Sequence, residues 1–239
     1  MLYWLVKGVL TPVLRVVYRI RVEGREHLPR RGPVIIAANH RSFLDSIFLP
    51  LVIGSRRVTF VAKAEYFDKA RTAWFFRGVG QIPIRREGGS ASERALDSAT
   101  EVLERSGVFG IYPEGTRTRD GKTHRGHTGV ARLALRTGAP VVPVGLVGTD
   151  ECQPTDKLLP RLFRRITVRI GPPISGARFA SSDDRLALRR FTDEVMFEIV
   201  QLCGCYEYDD VYATKQAEDL PVEPSRVPTF DALSNARVA

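Results

Sequence analysis

Hydrophobic and polar positions along this chain alternate between two periods. Short apolar, β-rich runs occupy residues 33–38, 57–62, 80–85, 108–112, 140–147 and 165–170, each suited to one buried strand. Helical spacing fills several of the gaps. Ala95, Leu96, Ala99, Val102 and Leu103 share a face, opened by the capping signature Ser90-Ala91-Ser92-Glu93 and stopped at Gly107. Thr128 to Thr137 predicts another helix, closed by Gly138. A third starts after Ser181-Ser182 and runs to about Cys203, with Leu186, Phe191, Val195, Ile199 and Leu202 as its apolar face. Strands alternating with helices predict an α/β fold: a single domain with a mixed β-sheet flanked by helices.

Residues 1–20 carry a different pattern. They are apolar except for Lys7, Thr11, Arg15 and Arg19, which recur every four residues and so gather into one narrow stripe of a helix. Pro12 is expected to bend it. Arg-Ile-Arg-Val after the apolar run is no secretory cleavage site. A spanning helix would bury Lys7 and Arg15, at roughly 2.5–3.5 kcal/mol each on insertion scales. Lying in the membrane interface avoids that, with Trp4 and Tyr18 at headgroup level. A core helix packed on the domain is the other reading. The division is then a membrane-associating amphipathic helix at 1–20, an α/β domain at 21–205 and a polar, proline-punctuated tail at 206–239.

Charge adds a partner class. The net charge of +9 favours an anionic partner: a membrane surface, a phosphorylated substrate or nucleic acid. From Tyr206 onward seven acidic residues against three basic ones give −4, leaving +13 on residues 1–205. Three cysteines, two of them in Cys203-Gly204-Cys205, give neither a disulfide framework nor a zinc spacing, which suits a reducing cytoplasmic setting. Basic residues are scattered without a recognised nucleic-acid motif, so nucleic acid is not an expected partner.

Candidate chemistry centres on Asn39-His40-Arg41-Ser42-Phe43-Leu44-Asp45, directly after the run 33–38. A strand-to-helix turn is where α/β folds bind ligands, and a histidine there can serve as a general base near neutral pH. If the turn folds His40 back over the first helical turn, Asp45 can accept from one ring nitrogen and leave the other to take a proton. Ser42-x-x-Asp45 is equally a capping box, with Asp45 serving orphan N–H groups. Further on, Pro113-Glu114-Gly115-Thr116-Arg117 follows the run 108–112. Gly115 permits close backbone approach, while Thr116 and Arg117 supply a hydroxyl and a planar fork suited to phosphate. Glu114 either touches substrate or orders the loop. Lys63, after the run 57–62, is a further phosphate candidate. His124 and His127 have no cysteine or paired carboxylate nearby in sequence and flank Arg125, a poor metal set, so no metal is expected.

Asn39-His40 and Asp45 with four residues between them, followed by Glu114-Gly115-Thr116-Arg117, closely resemble the glycerolipid acyltransferases, best the 1-acyl-sn-glycerol-3-phosphate acyltransferases, over about residues 20–175. The resemblance implies transfer of an acyl group from a thioester, carried by coenzyme A or acyl carrier protein, to a glycerolipid hydroxyl, with no other cofactor. By the same resemblance Gly80-Gln81-Ile82-Pro83-Ile84-Arg85-Arg86 matches the family's second motif, making Arg86 a residue that holds the acceptor. Val141-Val142-Pro143-Val144-Gly145 matches a fourth, apolar motif, which a core strand explains nearly as well. Expected partners are therefore the acyl thioester, a phosphorylated glycerolipid acceptor (lysophosphatidic acid or glycerol 3-phosphate) and an anionic membrane. The expected location is the cytoplasmic face of the cell membrane, peripheral or monotopic. Backbone N–H groups in the turn after His40 are candidate oxyanion donors. A serine esterase is the rival enzyme class, but no Gly-x-Ser-x-Gly elbow occurs.

Overall fold

The computed structural model describes residues 2–53, 56–68, 70–84, 91–154, 159–179, 185–204 and 207–213. In chain order the elements are α1 (Leu2–Val17), β1 (Arg21–Glu23), β2 (Val34–Ala38), α2 (Asp45–Val52), β3 (Val58–Lys63), α3 (Glu65–Asp68), α4 (Ala70–Gly78) and β4 (Ile82–Ile84). They continue with α5 (Ala91–Glu104), β5 (Val108–Ile111), β6 (Thr123–His124), α6 (Gly129–Thr137), β7 (Val141–Val147), α7 (Thr149–Cys152), β8 (Thr167–Ile170), α8 (Arg185–Cys203) and β9 (Tyr208–Asp209).

Seven strands form one mixed sheet in the order β1-β8-β7-β2-β5-β3-β4. All neighbours are parallel except β7 and β8, which run antiparallel. The central strand β2 is buried at every residue, as a parallel strand covered on both faces must be. Its pleat sorts alternate side chains into two cores. Val34, Ile36 and Ala38 join Phe48 and Leu49 of α2 and Tyr18 on one face. Ile35 and Ala37 meet Leu103, Leu133, Phe191 and Val195 of α5, α6 and α8 on the other. Because β2, β5 and β7 run the same way, the loops after them emerge along one edge of the sheet.

The six apolar runs all became strands. Val141, Val142 and Val144 are fully buried core of β7, and a Cβ on Gly145 would meet the α8 backbone at 2.6 Å, so that glycine serves close packing of strand and helix. On α8 the predicted face is largely right, but Leu186 is 52% exposed. It precedes Phe191 by five residues, about 140° off the buried stripe at 100° per residue. Helices α3 and α4 and the short strands β1, β6 and β9 were not legible, being too short or too aromatic to show a period. The segment expected to begin the tail is tied to the domain, since β9 pairs with β6.

In α1 the first half of the stripe, Lys7 and Thr11, faces inward, while Arg15 and Arg19 are exposed. Lys7 Nζ donates to Pro50 O (2.9 Å) and Ile53 O (3.0 Å), and Thr11 Oγ1 donates to Leu51 O (3.4 Å), satisfying carbonyls at the end of α2. Burial, with a smaller contribution from Arg25, pulls the Lys7 ammonium down to about 8. The outward side is apolar: Trp4, Leu5, Val9, Val13 and Val16 are each at least half exposed. Two expectations change. Tyr18 is core, edge-on to Phe48 at 5.2 Å, and not at headgroup level; Lys7 is committed to α2 and not to a membrane. Among the described residues, no helix is long and apolar enough to cross a membrane.

Candidate active site

His40 stands two residues beyond the end of β2, and Asp45 is the first residue of α2. The intervening turn curls so that His40 Nδ1 meets Asp45 Oδ2 at 2.9 Å. That same oxygen accepts the backbone N–H groups of Arg41 (2.7 Å) and Ser42 (2.8 Å). Both sequence readings of Asp45 are therefore realised by one atom: it partners the imidazole and caps the turn. Asp45 is fully buried, while the His40 side chain keeps 16% exposure. Ser42 Oγ donates to Gln153 O and accepts from Leu44 N, anchoring the turn to the loop after α7.

Asn39 fixes the base of the turn. Its side-chain amide donates to Leu146 O (2.9 Å) and its carbonyl accepts Leu146 N (2.7 Å), so the side chain splices the end of β2 into β7. The imidazole of His40 lies flat on the Tyr112 ring, with centroids 4.0 Å apart and planes 10° apart. Tyr112 in turn shares a hydrogen bond with Ser46 Oγ (3.2 Å), and burial, then the Asp45 charge, pushes its hydroxyl well above the usual phenol range. In the sequence Tyr112 simply ends an apolar run; a polar aromatic at the strand end before Pro113 is the available signal.

Glu114 is fully buried. Its Oε1 accepts His40 N (3.0 Å) and its Oε2 accepts His124 N (2.9 Å), so the carboxylate joins the His40 turn to the far side of its own loop. Burial raises its pKa to about 7 against the opposing pull of those two N–H groups. Such a group braces the loop rather than meeting a ligand, the second of the alternatives open in the sequence. Gly115 has φ 75°, a left-handed turn suited to glycine. Thr118 N donates to His40 O (2.9 Å) and His127 N to Pro113 O (2.8 Å), which holds the half-buried Thr116 and Arg117 beside the turn.

Arg117 lines a cleft of about 580 Å³ together with Arg41, Thr118, Arg119 and Asp150. Arg41 pairs with Asp150 at 3.4 Å. Three arginines against one carboxylate give the cleft an excess of positive charge. Arg41 and Arg119 were not singled out from the sequence, although each is a near neighbour of a residue that was. Lys63 is the last residue of β3, paired with Ile84 of β4, and Arg86 lies outside the described residues. The two histidines weighed as a metal pair diverge: His124 bonds Asp120 Oδ1 (2.9 Å) and Val211 O (3.3 Å), while His127 stacks on Tyr212. Burial opposes ionisation of Asp120, but bonds from Thr118, His124 and Lys122 win and hold it at about 2. The oxyanion expectation is corrected for three donors: the N–H groups of Arg41 and Ser42 are spent on Asp45, and that of Leu44 on Ser42.

The family model described as Acyltransferase matches residues 19–147, which span the His40–Asp45 turn and the Glu114–Arg117 loop. The chain belongs to the acyltransferase family. It is 32% identical over 162 residues to a chloroplastic 1-acyl-sn-glycerol-3-phosphate acyltransferase of Arabidopsis thaliana, covering 67% of this chain and 45% of that protein. A 1-acyl-sn-glycerol-3-phosphate acyltransferase of Bacillus subtilis is 26% identical over 186 residues, covering 77% and 87%. The chain thus spans under half the length of the plant relative and most of the bacterial one. Among solved structures, the acyltransferase fold here is similar to the crystal structure of the 1-acyl-sn-glycerophosphate acyltransferase from Thermotoga maritima. The TM-score is 0.62 at 28% identity, covering 79% of this chain and 73% of that one.

Proposed function

We propose that this acyltransferase moves a fatty acyl group from a thioester of coenzyme A or acyl carrier protein to the free hydroxyl of lysophosphatidic acid, with His40 as general base. The observation that carries the reading is the 2.9 Å bond from His40 Nδ1 to a buried Asp45 beside a cleft containing Arg117. A thioester is already activated, so no protein nucleophile is needed. Nε2 of His40 removes the hydroxyl proton as that oxygen attacks the thioester carbonyl carbon, a contribution of typically 10²–10⁴-fold. Asp45 stabilises the imidazolium so formed. As the tetrahedral intermediate collapses, the C–S bond breaks and the thiolate takes the proton back from His40. Arg117, with Arg86 as its sequence-derived companion and Lys63 as a third candidate, holds the acceptor phosphate and so aims the hydroxyl at Nε2. Glu114 keeps the two loops in register.

The apolar outer side of α1 supports the location. We place the enzyme on the cytoplasmic face of the membrane, with Trp4, Leu5, Val9, Val13 and Val16 in the interface and Arg15 and Arg19 available to anionic headgroups. An acylation assay crossing acyl-coenzyme A and acyl-carrier donors with glycerol 3-phosphate, lysophosphatidic acid and neutral lysolipids tests the reading. Lysophosphatidic acid is expected to be the best acceptor, and His40→Ala to abolish transfer. Equal turnover of unphosphorylated acceptors, or an active His40→Ala variant, overturns it.

A further inference from the structure

A second apolar surface sits at the far end of α1. The segment 159–165 lies in sequence between α7 and β8. It exposes Leu159 (79%), Leu162 (55%) and Phe163 (71%), three large apolar side chains within five residues. Arg161, Arg164 and Arg165 lie between and after them, all exposed, and the segment contains no acidic residue. Its position is fixed by backbone. Arg161 N donates to Cys152 O, and Phe163 N donates to Val17 O (3.1 Å) at the last residue of α1. Phe163 adopts φ 60°, a left-handed conformation that a bulky residue rarely takes. The apolar tip is thus held against the end of α1, next to the exposed Val16.

We propose that residues 159–165 are a second membrane-docking element, which seats in an anionic bilayer beside α1. This rests on the reading of α1 as an interfacial helix and extends it to a part of the chain about 140 residues away. The charge decides the occupant. Aromatic and aliphatic tips interleaved with arginines match an interface with apolar chains below and phosphate headgroups level with the guanidinium groups. In sequence, Leu162 and Phe163 follow Asp150 of α7, which lines the cleft, and Gln153, whose backbone carbonyl accepts from Ser42. Two contacts fix an orientation that one helix leaves free to roll.

The test is co-sedimentation of the full chain with vesicles of phosphatidylcholine, with or without about 30% phosphatidylglycerol, checked by thermal melting for intact fold. Leu162→Ser with Phe163→Ser is expected to lower partitioning at least tenfold on both vesicle types. Replacing Arg161, Arg164 and Arg165 by glutamine should lower it by about fivefold per arginine, only where phosphatidylglycerol is present, and the loss should shrink as salt is raised. A Leu5→Ser, Val9→Ser variant tests α1 separately. If that variant detaches while both loop variants bind as the native chain does, the loop proposal falls and the α1 reading stands. If none of them changes binding, both fall. If the glutamine variant binds vesicles normally but loses an acidic acyl carrier protein, the surface serves a protein donor and the proposal is overturned.

Discussion

Replacing Asp45 with asparagine separates the two duties that one oxygen performs. In the native protein Oδ2 accepts from His40 Nδ1, Arg41 N and Ser42 N, while Oδ1 is buried with no hydrogen-bond partner among the described residues. The two backbone N–H groups keep the asparagine carbonyl at the Oδ2 position, because an amide NH2 there would face two donors. The cap and the imidazole tautomer therefore survive. What is lost is the charge, and what is added is a buried NH2 without an acceptor, about 1–2 kcal/mol of stability. The rate should suffer more. Unit charges about 3 Å apart interact by roughly 5–6 kcal/mol at an effective dielectric constant of about 20. With about half the proton transferred, the transition state loses about 3 kcal/mol, or roughly a hundredfold in kcat. Thiol release from acyl-coenzyme A at saturating lysophosphatidic acid gives kcat, and denaturant melts give stability. Asp45→Ala, which leaves Arg41 N and Ser42 N unpaired, should by contrast lose several kcal/mol of stability. An asparagine variant with native kcat in its folded fraction would show that Asp45 only caps the turn.

The cleft and the brace give two further outcomes. Arg117→Ala should raise the acceptor KM and also lower kcat, since the hydroxyl is no longer aimed at His40, and Arg117→Lys should restore only part, returning charge without the fork; equal losses on phosphorylated and unphosphorylated acceptors would remove the phosphate role. Glu114 has a folded pKa of about 7, above its ordinary carboxylate value of 4.5, so the folded state holds the proton more tightly and stability falls as pH rises through that window. Glu114→Gln removes this slope, so the native stability relative to the variant should drop by on the order of 3 kcal/mol between pH 4.5 and 7.5, measured by urea melts across pH; parallel curves for the two proteins would refute it.

What the amino-acid sequence determined by itself was whatever depends on local period and on residue type. A run such as Val34-Ile35-Ile36-Ala37-Ala38 has no polar side to turn to water, so it reads as a strand covered on both faces, and it is one. The helices α5 and α6 and the αL glycine at Gly138 follow from equally local rules, while Ser90, the expected cap of α5, lies outside the described residues. The His40–Asp45 turn was legible because chemistry needs those residue types at a strand end. Tertiary structure decided everything that rests on pairs distant in the chain. The stripe Lys7–Thr11 looked like the wet side of an interfacial helix, and only the carbonyls ending α2, 40 to 46 residues away, turned it inward and left the apolar side out. Glu114 could not be told from a substrate ligand until folding brought His40 N and His124 N to its two oxygens. Tyr112 under the imidazole, Asn39 spliced into β7 and Arg41 sharing a cleft with Arg117 have the same origin. A sequence records which groups are present; adjacency across parallel strands is set by sheet order, which local spacing does not encode.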